Sequence, residues 1–180
     1  MPPRHLLLTL AIVAVWGTNF VALKWSLAEI PPFLLTALRY TFTALPALFF
    51  IRWPRGVSWQ LLALNALFVG ILQFSFGFSG LKLGAPAGLS SLIVQTQVFF
   101  TMALAVWLLA ERPSPLRILG VAVGFVGIAV IALEHLEPAA LVPLLLMHGS
   151  AFSWGVSNII TKKADTPDML GLVVWTSVFV

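Results

Sequence analysis

Six successive apolar runs, each close to 20 residues long, constrain this chain more than any other feature. Short connections separate them and hold most of the charge and much of the proline. A helix needs about 20 residues to cross roughly 30 Å of hydrocarbon. The runs predict helices at about 6–27, 33–51, 58–82, 86–110, 115–133 and 140–161, and a seventh that begins near 169 and reaches Val180. Sixty per cent of the residues are hydrophobic and nine per cent are charged. Ordinary globular domains carry about 25% charge, so no soluble core could hide this much apolar surface and lipid must serve as solvent. The connections are short enough to make neighbouring helices antiparallel. Most contain Pro or Gly, as at Pro31-Pro32, Pro54-Arg55-Gly56, Gly84-Ala85-Pro86, Pro113-Ser114-Pro115 and Pro138. The expected fold class is an all-α polytopic membrane protein.

The charge pattern gives orientation. An isoelectric point near 10.1 would suggest nucleic acid in a soluble protein. Here the basic residues fall at alternate connections, so membrane topology explains them and no nucleic-acid partner is expected. Arg4, Arg52, Arg55, Arg112, Arg117, Lys162 and Lys163 share one side if the helices alternate; Lys82, Lys24, Glu29, Glu134 and Glu137 are placed toward the other. The positive-inside rule then puts the N-terminus in the cytoplasm. Met1-Pro2-Pro3-Arg4-His5 before an apolar run imitates a signal peptide, but the further spans favour an uncleaved first helix. The chain has no cysteine, which excludes disulfides, thiolate metal sites and cysteine nucleophiles. No cofactor or metal is expected.

One motif occurs twice. Trp16-Gly17-Thr18-Asn19-Phe20 with Lys24 is echoed by Trp154-Gly155-Val156-Ser157-Asn158 with Lys162. Lys follows Trp by eight residues in both, whereas Asn stands at plus three in one and plus four in the other, about 100° apart around a helix axis. If helices 1 and 6 correspond, the copies are offset by five helices, and an odd offset reverses direction. That geometry is an inverted-topology repeat, the plan that gives transporters two related gates around a central site. The alternative is chance recurrence in two amphipathic helix ends.

Further residues carry a family likeness. Pro32 precedes Arg39 by seven residues; Gly84-Ala85-Pro86-Ala87-Gly88-Leu89-Ser90-Ser91 opens helix 4, Gln95 and Gln97 follow, and Glu111-Arg112 closes it. Ala151-Phe152-Ser153-Trp154-Gly155 and Asn158 come next. With Trp16-Gly17-Thr18-Asn19-Phe20, their order resembles the EamA branch of the drug/metabolite transporter superfamily, nearest to exporters of cysteine and O-acetylserine. The resemblance implies ten helices in two inverted five-helix halves and a bacterial inner-membrane location. On that plan residues 1–135 form the complete first repeat. Residues 138–180 begin the second, which is cut after about one and a half helices. The short apolar end at 169–180, with no polar stop, reads as a truncation.

Polar side chains inside a membrane are expensive and tend to be functional. Arg39 lies about 9 Å into helix 2, where its planar fork suits a substrate carboxylate; the alternative is snorkelling to the surface. Trp16, Asn19, Gln73, Gln95, His148, Trp154 and Asn158 complete the candidate substrate-binding or gating set. Each amide could instead serve a helix–helix hydrogen bond, and His148 could carry a coupled proton. Phe74, Phe76 and Phe78 could join the tryptophans in an aromatic vestibule. Gly120, Gly124 and Gly127 form a stripe expected to permit close helix contact. All six acids stand at or beyond the expected helix ends, which argues against a carrier of hydrophobic cations and for a zwitterionic or neutral metabolite.

The leading expectation is a secondary transporter exporting small amino-acid-like metabolites by alternating access, with the lipid bilayer and the metabolite as partners and room for a homodimer. The alternatives are a non-transporting fragment, a half that needs another chain, or a drug/metabolite transporter of different substrate. An enzyme is not expected, because no catalytic set is visible within the spans.

Overall fold

The computed structural model describes residues 3–134 and 141–180. These form helices and connections with no strand among them: α1 (Pro3–Glu29), α2 (Pro32–Leu48), α3 (Trp59–Lys82), α4 (Ala87–Leu109), α5 (Pro115–Glu134), α6 (Leu141–Ala164) and α7 (Met169–Ser177). The protein is an all-α membrane protein. His5–Glu29, Trp59–Lys82 and Ala87–Leu109 are long and apolar enough to cross a membrane. The expected boundary between repeats, at 135–138 with Pro138, lies outside the described residues, as does Glu137.

Local chemistry fixes the helix ends. Pro32 opens α2 in the first turn, where its missing N–H costs nothing. Ser58 caps α3 by accepting from Leu61 N, and Asp168 caps α7 by accepting from Gly171 N at 2.8 Å. At the end of α4 Ala110 turns left-handed, with φ 53°, and Glu111 N returns to Ala105 O.

Two helices are not uniform. α3 loosens into a π-helix over Ala66–Leu72, and α4 tightens at Gln95–Thr96, where Gln95 N and Thr96 N bond the carbonyls of Leu92 and Ile93, three residues back. Both departures occur mid-helix. Such segments mark hinges or functional positions more often than chance would place them.

α6 is the packing centre. It lies against both α3 and α4, while α1 and α2 complete the layer around α3 and α7 fills in beside α2. Small residues allow the approach. A Cβ on Gly155 would stand 2.8 Å from Phe100 Cβ, and one on Gly80 would stand 2.9 Å from the Pro143 carbonyl. The main apolar core joins Leu23 and Leu27 of α1, Leu35 of α2, Phe78 and Leu81 of α3, Ile93 of α4 and Met147 of α6. All of these sit toward the end of the bundle that carries Lys82. A smaller core at the other end joins Val57, Leu62, Ala164 and Leu172.

The expected glycine stripe on α5 does not act as one. Among the described residues only Gly124 has a neighbour, the Phe99 ring, while Gly120 and Gly127 face open space. α5 meets the bundle through Phe125 on Phe99, ring centroids 5.7 Å apart, and through Ile131 on the main core, and its bulky side chains are largely exposed.

Candidate functional site

The two copies of the Trp-Gly motif touch. Trp16 lies at the midpoint of α1 and Trp154 near the midpoint of α6, and their ring centroids are 5.6 Å apart with planes inclined at 37°. Trp154 also packs on the main core, whereas Trp16 remains 53% exposed. The glycines that follow them differ. Gly155 lets α4 and α6 meet backbone to backbone, and Gly17 has nothing within 4 Å.

Beyond Trp154, α6 carries three polar cross-links toward the end that bears Lys162. Asn158 donates from Nδ2 to Gln97 Oε1 at 2.7 Å and to Thr101 Oγ1 at 3.0 Å, tying α6 to α4. On its other face Ser157 donates to Asn65 Oδ1 at 2.7 Å, and Asn65 Nδ2 donates to Thr176 Oγ1 at 3.3 Å. That chain is buried and joins α6, α3 and α7. Lys162 then pairs with Glu111, beyond the end of α4. Interhelical hydrogen bonds in membranes average about 0.6 kcal/mol, so these links set register more than they add stability.

Arg39 occupies a separate group on the outer side of α3. Its guanidinium carbon stands 4.9 Å from the centroid of Phe74 and 5.8 Å from that of Phe78. Stacking of this kind contributes about 0.5–2 kcal/mol depending on desolvation, yet it uses the faces of the guanidinium and leaves its N–H fork free. Among the described residues no carboxylate pairs with it. The next residue, Tyr40, donates from its hydroxyl to the Val69 carbonyl at 3.0 Å, inside the π-helical stretch, and its ring meets Phe74 edge-on at 5.6 Å. The local disturbance of α3 is thus held from α2.

The remaining candidates disperse. Gln73 is buried directly after the π-helical stretch, and its Oε1 has no hydrogen-bond partner. It lies one turn before Gly77, whose added Cβ would approach Ser150, so it shares the face that meets α6. Asn19 is half-buried, Gln95 is exposed and His148 is exposed; the His148 Nδ1 donates to the Leu144 carbonyl at 2.9 Å. The aromatic residues divide: Phe74 and Phe78 go with Arg39, Phe76 packs over Gly149, and Trp16 pairs with Trp154. Gln97, Thr101, Asn65 and Ser157 were absent from the candidate set. A signal existed for Gln97, which stands in the same helix as Gln95, but the turn at Gln95–Thr96 decides which of the two faces α6.

No metal-binding group of three or more His, Asp or Glu occurs among the described residues. The chemistry on offer is recognition rather than bond-making: one unpaired cation over aromatic rings, one orphaned amide oxygen, and a stack of amide and hydroxyl cross-links.

The profile of the EamA-like transporter family matches residues 4–133. The chain belongs to the EamA-like transporter family. It is 39% identical over 176 residues to a protein of Salmonella typhimurium named "Probable amino-acid metabolite efflux pump", covering 94% of this chain and 58% of that one. A protein of the same name from Escherichia coli is 36% identical over the same coverage, and the "Uncharacterized transporter YvbV" of Bacillus subtilis is 31% identical over 91% of this chain and 55% of its own length. This EamA-like chain therefore spans just under three fifths of the first two relatives. No solved structure matches it. The family is one of transporters, not enzymes.

Proposed function

We propose that this chain forms part of a secondary transporter that exports small zwitterionic or neutral amino-acid-like metabolites, of the cysteine and O-acetylserine type, by alternating access across the bacterial inner membrane. The observation that carries the reading is the contact between Trp16 and Trp154. The two belong to the same motif in helices offset by five, an odd number. A residue that touches its own counterpart lies beside the axis relating them, so an in-plane two-fold would pass between these rings. Residues 1–135 then form one repeat and 138–180 open the inverted second. The helices flanking α6 are both irregular mid-span, α3 by its π-helical stretch and α4 by its tight turn, which gives a rocking motion places to bend.

Arg39 suits the substrate. Its unpaired fork could take a carboxylate through two parallel hydrogen bonds. The names of the two most fully covered relatives above support the substrate class. The basic residues at alternate connections support a cytoplasmic N-terminus.

Counterflow into proteoliposomes of the protein, with labelled O-acetylserine and cysteine, tests the proposal. The expected result is saturable exchange of both. Loss of one charge-assisted hydrogen bond costs about 1.5–3 kcal/mol, so Arg39→Lys should raise KM about tenfold or more and Arg39→Ala should abolish exchange. No exchange of either solute would sink the substrate class, and unchanged KM in both variants would remove Arg39 from the site.

A further inference from the structure

A slot lies at the basic end of the bundle, between α3, α4 and α6 and alongside their polar cross-links. Its volume is about 450 Å³, within the range of ligand pockets. Leu64, Phe68, Leu104, Leu108 and Ile159 form an apolar wall, while Ser58, Gln60 and Lys163 stand at the mouth. From Ser58 to Phe68 the slot follows α3 for about 15 Å, roughly half the thickness of the hydrocarbon core. It is therefore about one leaflet deep, with its polar and charged lining residues at the basic end.

Charge decides what fits. Lys162 is engaged by Glu111, but Lys163 is exposed and has no carboxylate partner among the described residues. Arg55 stands exposed in the connection three residues before Ser58. An ammonium over an apolar slot of leaflet depth matches a molecule with an anionic head and a hydrocarbon tail. We propose that this slot binds an anionic phospholipid, with one acyl chain between α3, α4 and α6 and its phosphate against Lys163. Basic recesses between membrane helices take anionic headgroups by the same chemistry. The bound chain would fill the gap that α6 leaves between its neighbours, next to the Asn65–Ser157 and Asn158–Gln97 links.

The test is lipid retention by the detergent-purified protein, read by native mass spectrometry. The protein is first stripped of lipid and then offered phosphatidylglycerol or phosphatidylcholine with identical acyl chains. Phosphatidylglycerol should be retained in preference, and free glycerol phosphate should not displace it. Lys163→Ala should weaken phosphatidylglycerol about fivefold, the worth of one basic residue near a membrane surface, and leave phosphatidylcholine unchanged. Leu64→Trp, at a side chain already 47% exposed, should narrow the slot and weaken both lipids. Lys82→Ala, at the opposite end, should weaken neither. Equal loss in Lys163→Ala and Lys82→Ala would show bulk charge attraction and overturn the proposal. So would unchanged retention in Leu64→Trp, or cross-linking from Leu64→Cys into a second copy or a further segment of a longer chain, since protein would then occupy the slot.

Discussion

Replacing Trp16 and Trp154 by leucine, singly and together, tests the contact on which the two-fold argument rests. Lipid tails are as apolar as leucine, so moving a ring from protein to lipid costs little in itself. What remains is the ring–ring term, about 0.5–1.5 kcal/mol beyond area burial for an aromatic pair. Trp16 is 53% exposed and the planes are tilted rather than perpendicular, which places the coupling in the lower half, about 0.5–1 kcal/mol. Trp154→Leu should destabilise more than Trp16→Leu, because the Trp154 ring also packs on the main core. That excess appears in both the single and the double variant, so it cancels in a double-mutant cycle. Reversible unfolding in mixed detergent and SDS micelles measures the four stabilities. The double variant should be less destabilised than the sum of the singles by the coupling energy. Exchange rates should be non-additive in the same sense. Additivity within about 0.3 kcal/mol would mean that the rings do not interact, and the case for an axis between them would fall.

Two further perturbations probe the surroundings of α6. Asn65→Leu should destabilise by about 1 kcal/mol, from two hydrogen bonds at about 0.6 kcal/mol each; Ser157→Ala added to it should cost almost nothing more, since the Ser157 hydroxyl loses its partner in the first step, and a full additive cost would refute the link. Tyr40→Phe should leave the Val69 carbonyl without its donor at about 0.5–1.5 kcal/mol. It should speed amide exchange across Ala66–Leu72 while sparing α6, and unchanged exchange there would mean that the π-helical stretch does not depend on α2.

The helices were legible because membrane spans are written in long stretches of single character. Runs of about 20 apolar residues bounded by Pro31-Pro32, Gly84-Ala85-Pro86 and Pro113-Ser114-Pro115 leave few ways to divide the chain. What the runs do not record is packing. Leucine faces lipid and protein equally well, so the apolar pattern cannot say that α6 is central while α5 lies at the edge, its bulky side chains largely exposed. Small residues carry that information only in context. Gly155 and Gly80 sit where helices close on one another, whereas Gly120 and Gly127, in a more regular stripe, meet nothing among the described residues. α2 shows the same limit at its end: the apolar run continues to Ile51, but the helix stops at Leu48 and turns through Ala47 O, which accepts from Phe50 and Ile51.

The site was less legible because its geometry depends on two departures from the ideal helix. An unbroken α4 would let Gln95 and Gln97 be compared by simple periodicity. Instead the carbonyls of Leu92 and Ile93 accept from residues three ahead, and Thr96 turns its hydroxyl onto Ile93 O at 2.6 Å. Tightening from 3.6 to about 3.0 residues per turn advances each residue by roughly 20° more than an α-helix does. Over the turn this shifts the phase of all that follows, and Gln97 meets Asn158 while Gln95 is left exposed. The π-helical stretch in α3 shifts phase in the opposite sense, since each turn holds more residues. It lies between Asn65, which faces Ser157 and Thr176, and Gln73, which is buried with its oxygen unpaired. Asn65 and Gln73 are both buried, one at each end of that stretch. The polar interior around α6 lies between these two irregular helices, and neither departure leaves a mark in the apolar pattern.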